Sequence, residues 1–144
     1  MALWQFDFNI VPRVRCSMVE SLSVEDILSW KQENISSAEI DFLEKESCWA
    51  KDIVQYGKAD ETCIEFLYID EVLEEISCRL DLRSLSKKML KDILDYVDKV
   101  EGMIFYEGKC YSPRHDEIIE LLKNSNANKF CQNPVSYFEE LFSC

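Results

Sequence analysis

The chain is short of the residues that most chemistry needs. Its three glycines, Gly57, Gly102 and Gly108, leave no loop able to cradle a phosphate. Neither G-x-G-x-x-G nor a Walker A run occurs, and G-x-S-x-G and H-E-x-x-H are missing too. Three prolines and three glycines also argue against a long flexible linker. The single histidine, His115, removes most zinc sites. The seven cysteines, at 16, 48, 63, 78, 110, 131 and 144, include no C-x-x-C pair and are odd in number. That excludes a Cys-only zinc centre and a small disulfide scaffold. Reduced thiols serving as small apolar residues in a reducing cytoplasm are expected instead. No run of 18 apolar residues exists, so no membrane-spanning helix is expected. Met1 to Asp7 has no basic region and no continuous apolar stretch, so no secretory signal is expected either.

What is present is ordinary core material and an excess of acid. The 144 residues are 47% hydrophobic and 12% aromatic, enough for one packed domain and too much for disorder. The net charge is −12. Residues 19–75 hold 16 acids against 4 lysines, which accounts for the whole excess. The flanking segments are nearly neutral. A nucleic acid or an anionic membrane needs a basic surface, so neither is an expected partner. The acidic segment can steer a basic protein, or it can simply keep the domain in solution.

Trp4, Phe6, Phe8 and Ile10 alternate with polar residues and predict a strand that Pro12 closes. Ser23-Val24-Glu25-Asp26 resembles a capping box before a short helix with Val24, Ile27 and Leu28 inward. Ser36 to Glu39 repeats the device, ahead of Ile40 and Leu43. Residues 48–60 read as irregular or partly helical. Residues 62–69 predict a buried strand, 71–75 a helical turn, and 76–83 a strand with one wet face. Ser84 is placed to cap the longest helix, roughly 85–100, with Gly102 as its stop. Glu107-Gly108 predicts a hairpin between 103–106 and 109–111. Ser112-Pro113 and Asn133-Pro134 each predict the start of a helix. About five strands and four to six helices follow. The expected class is α/β in the α+β sense, a single domain over 1–144 with a mixed, mostly antiparallel sheet.

The candidate functional residues fall into two sets. The first is the acidic and aromatic material of the charged segment: Glu25, Asp26, Trp30, Glu33, Glu39, Asp41, Glu44, Trp49, Asp60 and Glu61. Aromatics among acids suit a protein interface, although Trp4 belongs to the strand pattern and is expected in the core, and for Trp30 and Trp49 a core role is the favoured reading. The second set is Arg79, Asp81 and Arg83, which share one face of a strand. Asp81 between two guanidiniums is either a polar platform for a ligand or a lock to neighbouring acids such as Glu71 to Glu75. His115 stands next to Asp116, but adjacent helical residues point about 100° apart, so that pair does not suit acid–base work. No catalytic residue, metal ligand or cofactor is assigned, and the expectation is a non-enzyme.

Four stretches together resemble a known group. They are Trp4 to Pro12, Trp49 with Tyr56-Gly57-x-x-Asp60, Arg79 to Arg83, and Ser125 to Phe138. They look like small bacterial proteins of polymorphic-toxin immunity loci. The resemblance implies a cytoplasmic antidote that binds and blocks a cognate toxin, often a basic one. It assigns no site residues. A small ligand-binding or regulatory domain using the Arg79/Asp81/Arg83 face is the alternative.

Overall fold

The computed structural model describes residues 3–18, 20–33, 40–47 and 50–132. Their elements run β1 (Gln5–Pro12), α1 (Arg13–Cys16), α2 (Val24–Leu28), β2 (Lys45–Glu46), β3 (Ile53–Tyr56), β4 (Cys63–Ile69) and β5 (Val72–Asp81). They continue with α3 (Lys87–Lys99), β6 (Gly102–Tyr106), β7 (Lys109–Tyr111), α4 (His115–Lys123) and α5 (Asn126–Gln132). The strands form one antiparallel sheet in the order β2-β3-β4-β5-β1-β6-β7. The α+β class is as expected, with seven described strands where about five were.

Period-two patterning divides the sheet into two faces. Phe6, Phe8 and Ile10 of β1 join Ile64 and Phe66 of β4 and Ile76, Cys78 and Leu80 of β5 in the main core. Helix α3 covers them with Leu90, Ile93, Leu94 and Val97, and α4 adds Ile118 and Leu122. The opposite face carries Asp7 and Asn9 on β1, with Arg79 and Ser77 as their respective cross-strand partners on β5. It also carries Glu65, opposite Ser77 on β4. At the β1–β6 end a second small cluster of Val11, Ile27 and Phe105 covers that face under α1 and α2.

Several local expectations are corrected. Residues 48–60 contain strand β3 rather than helix, because Ile53–Tyr56 pair with β4. Residues 71–75 are not a helical turn. Asp70 (φ 51°) and Glu71 (φ 66°) form the tight turn of the β4–β5 hairpin, and β5 starts at Val72. Ser86, not Ser84, caps α3, its hydroxyl accepting from the Met89 amide at 3.0 Å. Glu101 takes the left-handed conformation expected of Gly102. Gly102 instead begins β6, where a Cβ would press on Ile10 Cγ2 at 3.1 Å and the Val97 carbonyl at 3.2 Å. Arg114, not Pro113, sits at the start of α4. Residues 13–16 are a helical turn, and α5 was not foreseen. Val24 is 57% exposed rather than inward, while Ile27 is buried. The helices expected at 36–39 and after 133 lie outside the described residues.

The thiols also differ from expectation. Cys16 and Cys110 form a disulfide between α1 and β7, their Cα atoms 6.0 Å apart. Cys63 and Cys78 remain as free buried thiols, and burial pushes both up in pKa. They fit the small-hydrophobe role; the bonded pair does not, because a disulfide persists where the surroundings oxidise.

Candidate protein-binding surface

The strand order converts a sequence asymmetry into a spatial one. Strands β2, β3, β4 and β5 are consecutive in the chain and adjacent in the sheet. The acidic segment therefore builds one half of the sheet, and β1, β6 and β7 build the other. Among the described residues, Glu65 is the one acid of 20–75 in an ion pair, with Arg79. The rest carry their charge uncompensated by a direct partner.

The individual acids do not form one compact patch. Glu25 and Asp26 are exposed on the first turn of α2, where Ser23 Oγ accepts from the Asp26 amide at 3.3 Å. Acids favour that helix end. Glu25 and Glu74 lie close enough to Glu75 to act on its carboxyl, which burial first and then both charges push up. Asp60 and Glu61 are exposed at the opposite end of β4 and β5. The six residues from Glu75 to Asp81 separate the two groups by about 20 Å of strand. Asp41 and Glu44 are exposed beside β2, and Glu33 is half-buried next to Trp30. Glu39 and Trp49 lie outside the described residues.

Trp30 leaves the interface set. It is 1% exposed, its amide donates to the Glu74 carbonyl at 2.9 Å and its indole Nε1 to the Ile10 carbonyl at 2.7 Å. It plugs the core where β1 ends and β5 begins. Trp4 is not core. It is half-buried outside the strand, with its indole donating to the Asp60 carbonyl at 2.9 Å and the Arg83 guanidinium 4.0 Å above its ring.

The Arg79, Asp81 and Arg83 set does not act as one platform. Asp81 is 2% exposed and accepts from Arg83 alone of the two arginines, through Nε and Nη2, each at 2.9 Å. Burial alone would raise its carboxyl, but the Arg83 hydrogen bonds and charge outweigh that and hold it below the ordinary carboxylate range. Arg79 turns away to donate to Glu65 Oε1. Arg83 also reaches the Asp60 carbonyl at 3.1 Å, and Gln5 Nε2 donates to the Ala59 and Glu61 carbonyls at 3.0 and 2.7 Å. The lock to Glu71–Glu75 is not seen among the described residues; Arg83 and Gln5 instead fasten the 59–61 connection.

No family model matches the chain, and no curated protein or solved structure resembles it.

Sequence reasoning missed one feature. Past Tyr106, β6 turns away, and residues 5–8 of β1 have a paired neighbour on the β5 side only. A cavity of about 700 Å³ opens there. Asp7, Asn9, Glu65, Ser77 and Arg79 from the polar face line it, along with Phe105, Tyr106 and Glu107 from β6 and its turn and the start of α5. The Asp7 Oδ1 atom is buried and has no hydrogen-bond partner among the described residues. Burial pushes the Asp7 carboxyl up more than the Arg79 charge pulls it down. The alternation in β1 already marked Asp7 as polar. Only the strand register brings it opposite Arg79. His115 is exposed at the start of α4. Among the described residues, no group of His, Cys, Asp and Glu is arranged to hold a metal ion.

Proposed function

We propose that this chain is a non-catalytic protein-binding module of the immunity type, which occludes a basic toxin domain with the acidic half of its sheet. The observation that supports it is the strand order, which gathers residues 45–81 into one contiguous half of the sheet. Among the described residues, that half carries acids that internal cations leave unpaired, apart from Glu65 and Asp81. A field of one sign over a broad surface accelerates encounter with a surface of the opposite sign. A cytoplasmic site of action belongs to this reading, and the Cys16–Cys110 disulfide weighs against it. The small-ligand alternative needs free guanidiniums on one strand face. Arg79 is engaged by Glu65, and Arg83 by Asp81.

The test is stopped-flow association with the toxin C-terminal domain that the immunity reading expects to be encoded immediately upstream. The association rate is expected to fall about tenfold or more between low and high salt. A rate that ignores ionic strength removes the electrostatic mechanism. A failure to bind at any salt removes the immunity reading.

A further inference from the structure

We propose that the cavity beside β1 binds a cationic N–H group, a guanidinium or an alkylammonium, with Asp7 as its anchoring carboxylate. The site lies where β1 meets β5 and shares Glu65, Ser77 and Arg79 with the acidic half of the sheet, but it does not depend on the toxin-binding reading. Its volume of about 700 Å³ lies within the range of a small-ligand pocket.

Asp7 carries the inference. Its Oδ1 is buried without a donor, although a carboxylate is an acceptor at every lone pair. An orphaned buried acceptor costs stability, and such groups collect where a ligand supplies the missing donor. Among the described residues, the donors of Arg79 and Asn9 that are seen to bond go to other acceptors. Arg79, the one Lys or Arg among the described residues lining the cavity, sits directly across from Asp7 on β5, but its guanidinium donates to Glu65. The Asn9 amide donates to the Ile76 carbonyl at 3.4 Å. Tyr106 also lines the cavity, one face of its ring stacked on Phe6 with the centroids 4.5 Å apart. Glu107 adds a second carboxylate with no ion pair among the described residues.

The chemistry therefore asks for positive charge and for N–H donors together. An anion would meet Asp7 and Glu107, and a neutral amide would bring no charge to either. A guanidinium offers two parallel donors to one carboxylate. It can come from a small free amine or from the side chain of a docked protein.

Two-dimensional NMR of the full chain tests this with three probes: agmatine, a capped Gly-Arg-Gly peptide and a capped Gly-Gln-Gly peptide. Saturable shifts at the Asp7 carboxyl and at the 125–127 amides are expected with the arginine peptide, with agmatine, or with both. Response to agmatine alone makes the ligand a free small cation. Response to the peptide alone makes it a protein side chain. The glutamine peptide is expected to leave those signals unmoved. Asp7→Asn should weaken cation binding about tenfold or more while the remaining spectrum stays native. Glu107→Gln, on an exposed turn, should weaken it without risk to the fold. Equal response to the neutral peptide overturns the proposal, as does no saturable shift, or unchanged binding in both variants. Shifts spread over 20–75 in place of the cavity overturn it too, while leaving the acidic-surface reading intact.

Discussion

Asp7 and Asp81 point to the same side of the sheet and are treated in opposite ways. Asp81 has Arg83 on both of its oxygens, so its carboxyl is held low, and its stabilisation is present above the ordinary Asp value and lost as pH falls through the depressed one. Asp7 is desolvated and short of a donor, so its carboxyl is held high. The sign then reverses: the folded state tolerates neutral Asp7 better than charged Asp7. Whatever Asp7 contributes is fully present below about pH 3.9 and is lost as pH rises through its raised folded value. Asp7→Asn keeps the shape and removes the charge. It should stabilise the protein by about 1 kcal/mol at pH 7, as expected for an unsatisfied buried polar group. The gain should vanish near pH 3. Urea unfolding midpoints at the two pH values check this, and an Asn variant no more stable at pH 7 contradicts it. Such a gain in stability, with the loss of cation binding already described, is the trade expected of a ligand-binding residue.

At the scale of elements, the β4–β5 hairpin is closed by residues poorly suited to it. A two-residue turn with both φ angles positive favours Asn-Gly. Here the positions are Asp70 and Glu71, at φ 51° and 66°, flanked by Ile69 and Val72, which are 52% and 43% exposed. Asp70→Asn with Glu71→Gly should raise stability by about 1 kcal/mol, seen as a rise of a few degrees in the melting midpoint. A lower midpoint would show that Asp70 and Glu71 hold the turn by contacts worth more than the backbone cost. The same hairpin explains where sequence reading succeeded and failed. Strand β1, strand β4, the Ser23-capped helix and the Glu107-Gly108 hairpin were legible, because each declares itself through local periodicity or turn chemistry. Residues 71–75 were not. A run of acids looks helical in isolation, and only pairing with β4 across an unusual turn makes it strand. Strand β3 was hidden for the same reason, being short, half-buried and one place from the sheet edge. Helix α5 is only seven residues long, with Ala127, Phe130 and Cys131 on its apolar side and Ser125 Oγ accepting from the Asn128 amide at 3.1 Å, too short a pattern to stand out in the sequence. Cys16 and Cys110 lie 94 residues apart, and no spacing rule joins them.

At the scale of the whole molecule, charge and topology run together. The acidic segment was legible as a stretch of sequence. Its conversion into half a sheet was not, because strand order does not follow from local pattern. Register alone also created the cavity at Asp7, well outside that segment in sequence. Part of the candidate set fell away once packing was known, with Trp30 buried and the Arg79/Asp81/Arg83 face divided between two ion pairs. What survives is a field rather than a patch, since Glu25 and Glu61 lie at opposite ends of the strands. A field predicts that position within the acidic half matters less than membership of it.

The most direct measurement compares two double variants that remove the same charge. Asp52→Asn with Glu61→Gln neutralises exposed acids of the β2–β5 half, and Asp95→Asn with Asp98→Asn neutralises acids of α3. Stopped-flow association with the upstream-encoded domain at low salt is expected to slow severalfold for the first pair and to change little for the second. Equal slowing by both would mean that net charge alone sets the rate, and would contradict the assignment of binding to the acidic half of the sheet.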